Sequence, residues 1–244
     1  MELLTNGMGL SVVVFFPLIS AFIITLIPKA QEQLIKRFAL VSSLITFVIS
    51  AVLLFQFDFS SADKLQLGNK ISWIKSINAN YEIGIDGISL PLLVLSTFIT
   101  VLAIIYSIEH LPEPKSPKGF LALILVLETG MNGTFVALDL ILFFVFFEIV
   151  LLPMYFMIGI WGDKTVRTVS GFKNQIETRL YASIKFFVFT LFGSAFMLLG
   201  FLGLYYRGNK TFSIPELIEL GTSGAFTGTF ATLVFAVLFL GFAV

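Results

Sequence analysis

The chain has no cysteine, one histidine and little charge. Without thiols there can be no disulfide, no thiolate-held iron–sulfur cluster and no cysteine metal site. His110, standing alone, excludes haem ligation by paired histidines. Charged residues make up 12% of the 244, about half the share of an ordinary soluble domain. Acidic and basic residues balance at 15 each, so there is no electrostatic footprint for a polyanion and nucleic acid is not an expected partner. Neither a G-x-G-x-x-G run nor a Walker-type loop occurs, which assigns any nucleotide or redox chemistry to other chains. The first ten residues lack Lys and Arg, unlike the basic start of a cleaved signal peptide, so the first apolar segment is expected to be retained.

What fills the sequence instead is apolar: 57% hydrophobic residues and a mean hydropathy of +0.99 describe an integral membrane protein. Apolar segments fall at 8–28, 37–56, 88–108, 120–138, 139–160, 181–205 and 228–244. They predict an all-α, polytopic transmembrane helix bundle of about seven spans, with 1–244 as a single membrane domain. Segments four and five are nearly continuous and must turn sharply near Leu138-Asp139, forming an antiparallel hairpin. The longest polar connection, 57–87, carries Trp73 and Tyr81, which suit the membrane interface. It closes with Ile85-Asp86-Gly87-Ile88-Ser89, where Asp86 is placed to cap the third helix. His110 opens a proline-rich connection and reads as a surface residue. The last segment reaches Val244 without a basic stop or a polar tail, so the sequence is expected to be a fragment of a longer chain.

Basic residues set the expected orientation. Lys29, Lys36, Arg37, Lys115, Lys118, Lys164, Arg167, Lys173 and Arg179 fall on one side, and Lys64, Lys70, Lys75, Arg207 and Lys210 on the other. The richer side is expected to face inward, which places the N-terminus outside.

Ionisable groups inside apolar segments are the candidate functional residues. Glu148 lies near the middle of segment five, where a carboxylate costs roughly 2.5–3.5 kcal/mol and therefore reads as functional by default. Pro153, five residues on, has no N–H to give the Ile149 carbonyl, so a helix break is expected there. Glu128 and Glu148 each stand ten residues from Leu138, at matched depth on adjacent helices, though depth leaves their rotation open. Gly130 and Gly133 would admit another backbone close to helix four. Asp139 reads as a cap at the hairpin turn. Lys185, near the start of segment six, reads either as a cation snorkelling to the interface or as a buried partner for an acid. The residues alone fit a channel, an antiporter or a proton-pump subunit. Further alternatives are a seven-helix receptor or retinal protein, against which segment 228–244 lacks a lysine, and a structural module whose charges only fix helix register.

Four stretches are more specific: Tyr81–Ser89, Ala137–Phe144, Phe146–Phe156 around Glu148 and Pro153, and Tyr181–Phe187 around Lys185. Together they resemble the antiporter-type membrane subunits of respiratory complex I, of the chain M (mitochondrial chain 4) type. That resemblance implies a fold of about 14 helices built from inverted repeats with broken helices, of which this chain is the first half. It implies that Glu148 is the family's glutamate on helix five, paired with a lysine that would follow the Gly241–Val244 run. It also implies proton translocation through Glu148, coupled to electron transfer to quinone in partner subunits; a proton-carrying role for Lys185 and Glu128 is added from their own positions in the apolar segments. Flavin, iron–sulfur clusters and quinone would be held by those partners and no cofactor by this chain. The implied setting is an energy-transducing membrane, the bacterial plasma membrane first, with other membrane and redox subunits, lipid and protons as partners. The alternative is a subunit of a multichain sodium/proton antiporter or membrane-bound hydrogenase-type complex.

Overall fold

The computed structural model describes residues 7–167 and 176–244. Lys173, counted in the basic asymmetry, lies outside the described residues, as does the side chain of Arg167. Eight helices account for most of the described chain: α1 Met8–Leu26, α2 Glu32–Gln56, α3 Ser89–Glu109, α4 Pro117–Val136, α5 Leu140–Trp161, α6 Thr178–Arg207, α7 Ile214–Thr222 and α8 Gly228–Ala243. The first six are long and apolar enough to cross a membrane, and α8 is a shorter apolar helix of 16 residues. Many large apolar side chains on these helices, such as Phe22, Phe55, Phe192 and Phe239, point outward. That distribution suits a hydrocarbon solvent, in which backbone polar groups must be satisfied within each helix.

Helices α1 to α4 pack together as one sub-bundle, and α5 joins α4 to a second group made with α6 and α8. Two apolar clusters stabilise the first group. One, toward the start of α1, gathers Leu10, Val13, Val14, Leu53, Leu90, Leu93 and Val136. The other, toward the end of α1, gathers Ala21, Ile24, Ile35, Ala39, Ile104, Leu121 and Leu125.

Two elements were not expected from the sequence. The polar connection before α3 folds into an antiparallel β-hairpin, β1 Gln66–Ile74 and β2 Ala79–Ile85, which turns at Asn78 with a left-handed φ of 53°. The loop before α8 contains the short helix α7, started by Pro215 in its first turn. A pair of two-residue strands, Val166–Arg167 and Ile176–Glu177, lies before α6.

The β1–β2 hairpin and the segment leading into α7 clamp the α4–α5 turn. Leu138 N–H donates to the Glu82 carbonyl of β2 at 2.8 Å, and Ile214 N–H donates to the Leu138 carbonyl at 2.8 Å. Leu140 N–H donates to the Phe212 carbonyl at 2.9 Å. The turn between α4 and α5 is therefore held from both sides like a central strand. Lys70 of β1 adds an ion pair to Glu216 of α7 at 2.8 Å and one to Glu82 of β2 at 3.2 Å.

Candidate functional site

The site is built on the α4–α5 hairpin. Asp139 starts α5: its carboxylate accepts from Ile141 N–H at 2.9 Å and Leu142 N–H at 3.2 Å, satisfying two orphan donors of the helix. Its second oxygen accepts from Asn80 N–H of β2 at 2.9 Å, so the buried cap also ties the turn to the β-hairpin. Asp86 caps α3 in the same way, accepting from Ile88 and Ser89 N–H while the Ser89 hydroxyl accepts from Asp86 N–H. This is the reciprocal geometry of a capping box. Burial works to raise the Asp86 carboxyl, but the Ser89 and Ile88 backbone donors and the Ser89 side chain together hold it below the usual range.

Below the turn the two helices meet at glycines. A Cβ at Gly130 would lie 2.6 Å from Val150 Cγ2 and 3.1 Å from the Phe146 carbonyl oxygen, and one at Gly133 would overlap the Phe146 ring. So the backbone that approaches helix four is α5, and the contact stripe runs over Gly130 and Gly133 on one side and Phe146 and Val150 on the other. With 3.6 residues per turn, Glu128 lies about half a turn away from this stripe on α4. Glu148 likewise lies about half a turn away from Phe146 and Val150 on α5. The two carboxylates share a depth and face opposite ways.

Their surroundings differ accordingly. Glu128 is fully buried and neither oxygen has a hydrogen-bond partner. It turns toward α1 and α3, the side on which Asn132, one turn further along α4, also packs. Glu148 is half-buried, with its Oε1 enclosed and without a partner. It turns toward α6: Tyr155, two turns below Glu148 on the same face, packs on Phe187 of α6, while Phe143 and Phe147, about a third of a turn round, meet Phe242 of α8 edge to face.

One sequence expectation is corrected here, and one of two open readings is taken up. Pro153 does not break α5, which is continuous from Leu140 to Trp161. The missing N–H removes one hydrogen bond but leaves the flanking turns helical, so the effect is confined to the Ile149 carbonyl. Lys185 is not a buried cation within this chain. It is exposed on α6, with Nζ 5.7 Å from the Tyr181 ring centre. His110 lies at the surface, stacked on Tyr106 at 4.6 Å. Among the described residues no cluster of His, Asp and Glu has the make-up of a metal site.

Asn132 escaped the sequence reading. Pro17 sits inside α1 and leaves the Val13 carbonyl without its usual donor. The Asn132 amide supplies one, donating to the Val13 carbonyl at 3.2 Å, while its oxygen accepts from the Ser96 hydroxyl at 3.1 Å. Pro17 announces that a donor is needed, but only the packing of α4 on α1 says which residue provides it.

A hairpin of membrane helices carrying one acid on each outward face, within a bundle of further apolar helices, defines a class: polytopic membrane proteins with buried carboxyls. The same fold occurs in a chain of respiratory complex I from Thermus thermophilus, with a TM-score of 0.75, 23% identity, and coverage of 96% of this chain and 43% of that one. It occurs again in the Mrp complex of Dietzia sp. DQ12-45-1b, with a TM-score of 0.73, 15% identity, and 95% and 23% coverage. Residues 12–134 match the family described as NADH-ubiquinone oxidoreductase chain 4, amino terminus, and residues 137–244 match NADH:quinone oxidoreductase/Mrp antiporter, TM. The chain belongs to the NADH-ubiquinone oxidoreductase chain 4 family. It is 35% identical over 237 residues to the NAD(P)H-quinone oxidoreductase chain 4 of Gloeobacter violaceus, covering 96% of this chain and 40% of that protein. To the F(420)H(2) dehydrogenase subunit M of Methanosarcina mazei it is 35% identical over 213 residues, covering 85% and 39%. The chain thus spans about 40% of the length of the relatives it matches.

Proposed function

We propose that this chain is part of a chain 4-type membrane subunit that moves protons, driven by electron transfer to quinone in partner subunits. The single observation that carries this is Glu148: a mid-helix carboxyl with an enclosed, unpartnered oxygen, turned away from the tightly packed hairpin contact toward α6. A carboxyl so placed answers to the charge of whatever faces it, gaining or losing a proton as that charge changes. Moving one charge against 100 mV costs about 2.3 kcal/mol, a scale that one intramembrane ion pair can match. Glu128 and Lys185 are the other proton-carrying groups of this proposal, and Pro153 loosens the backbone beside Glu148. Flavin, iron–sulfur clusters and quinone belong to the partner subunits, so this chain serves the oxidoreductase without a redox site of its own. The setting is the bacterial plasma membrane with the N-terminus outside, on the basic asymmetry of the connections.

The test is Glu148→Gln in the assembled complex, with quinone reduction and proton movement measured together in sealed vesicles. Assembly is expected to persist and proton movement to fall to a small fraction. Undiminished proton movement overturns the assignment. The match of residues 137–244 to a family shared with Mrp antiporters supports a second reading, cation/proton antiport. Proton movement driven by a sodium gradient without any electron donor would favour it.

A further inference from the structure

Between the two apolar clusters of the α1–α4 bundle the buried side chains change character. Over that middle stretch they are Pro17 and Ser20 on α1, and Ser42, Ser43, Thr46 and Ser50 on α2. On α3 they are Thr97, Thr100 and Val101, and on α4 Glu128, Thr129 and Asn132 beside the two glycines. Val101 is the one large apolar side chain among them. A polar layer thus crosses the middle of a bundle whose two ends are packed with Leu, Ile and Val.

The hydrogen bonds of this layer leave a specific deficit. Ser43, Thr46, Thr100 and Thr129 each spend their hydroxyl proton on a carbonyl of their own helix, at 3.0–3.2 Å. Ser50 and Thr97 spend theirs on helix carbonyls or on each other, at 2.7–2.9 Å. Asn132 spends one amide hydrogen on Val13 and the Ser96 hydroxyl is spent on Asn132. Within the layer the Ser42 hydroxyl has no partner, and neither it nor the second Asn132 amide hydrogen bonds to Glu128, whose oxygens are both unpartnered. The layer therefore surrounds Glu128 with lone pairs, and none of its hydrogens reaches the carboxyl. Nor does any opposite charge face it. The charged residues of α2, α3 and α4 other than Glu128 lie near the helix ends, α1 has none, and Glu148 is on the far face of α5. An ionised carboxyl with neither donor nor counter-charge is among the costliest groups to bury. One hydrogen carried by the carboxyl itself removes the charge and supplies the missing donor.

We propose that this layer is a second proton site, separate from Glu148, in which Glu128 holds one proton and shares it with the surrounding hydroxyl oxygens. It rests on the reading of this chain as a proton-moving subunit, but its test does not depend on pumping. Infrared spectra of the assembled complex would be recorded in H2O and D2O. One carboxylic C=O band, shifting in D2O, is expected in the native complex, lost in Glu128→Gln and kept in Glu148→Gln. Absence of any band lost in Glu128→Gln overturns the proposal, and loss of the same band in Glu148→Gln overturns the separateness of the sites. A band that appears only when sodium is removed also overturns it, by showing a bound metal cation instead. Should Glu128→Gln fail to assemble, Thr46→Val with Thr100→Val is expected to shift the band without abolishing it; an unmoved band counts against the layer.

Discussion

The two faces of the α4–α5 hairpin handle the same problem in opposite ways. Both helices carry an acid at mid-depth, yet Glu128 is closed in by three other helices and Glu148 is left half-open. The prolines repeat the contrast. In α1 the carbonyl freed by Pro17 is taken up by Asn132, whereas no side chain among the described residues donates to the Ile149 carbonyl freed by Pro153. The proline carbonyl is thus accounted for on one side of the hairpin and left free on the other, while each side keeps a carboxyl without a partner. What separates the surroundings of the two acids is rotation around the helix, not depth.

The largest expected effect comes from destroying the contact that sets this rotation. Gly133→Leu drives a side chain into Phe146, and overpacking of this kind costs about 3 kcal/mol. Thermal unfolding of the solubilised complex should show a marked loss, and a change confined to activity would contradict the packing. Next, Asn132→Leu leaves the Val13 carbonyl buried without a donor, a loss of about 1–3 kcal/mol. Pro17→Ala restores an N–H at that point, so a double-mutant cycle should show that the pair costs less than the sum of its parts. Additive losses would mean that the two residues do not share the carbonyl. On the open face, Pro153→Ala should leave thermal stability unchanged or higher while slowing proton movement. If both were unaffected, the proline would be no more than a tolerated bend.

The smallest effect is at the outer surface. Glu216→Gln should cost less than about 1 kcal/mol, because the ion pair of Glu216 with Lys70 is substantially exposed. That hydrogen bond holds Glu216 below the usual carboxylate range and Lys70 above the usual lysine range. Glu216 therefore contributes above its unfolded value of 4.5, and this is lost as pH falls through the depressed folded value. Lys70 contributes below 10.5, lost as pH rises through its raised folded value. Proteolysis of the β1–β2 hairpin should accelerate outside that window in the native protein, and show a weaker dependence in Lys70→Met, where Glu216 keeps only its Thr211 bond.

Much of this arrangement is legible in the chain itself, where the signal is local. Asp86 and Asp139 can be read as caps because a cap needs only its own next few residues. The depth of Glu128 and Glu148 follows from counting outward from Leu138. Their rotation was half-readable: Gly130 and Gly133 mark the face of α4 that meets a neighbour, and Glu128 lies opposite, but the neighbour was not specified. The β-hairpin did leave a trace in the alternation of Tyr81, Ile83 and Ile85, obscured by the surrounding polar residues. The clamp around Leu138 was beyond reach, since it joins segments more than fifty residues apart through backbone groups that every sequence possesses. The exposure of Lys185 was likewise undecidable from a lysine's position alone.

Helix α5 is tied at both extremities. Its N-terminal end is fixed between β2 and Phe212–Ile214, and at its C-terminal end the Trp161 indole donates to the Pro114 carbonyl at 2.9 Å and Arg179 to the Ile160 carbonyl at 2.6 Å. A rod pinned at its two ends answers a sideways load by bowing at mid-span rather than by tilting. Glu148 stands near that mid-span, and Pro153 removes stiffness just beyond it. A change of charge on Glu148 would then act on the point of greatest give, and α6, in contact through Tyr155 and Phe187, is the beam that would receive the deflection.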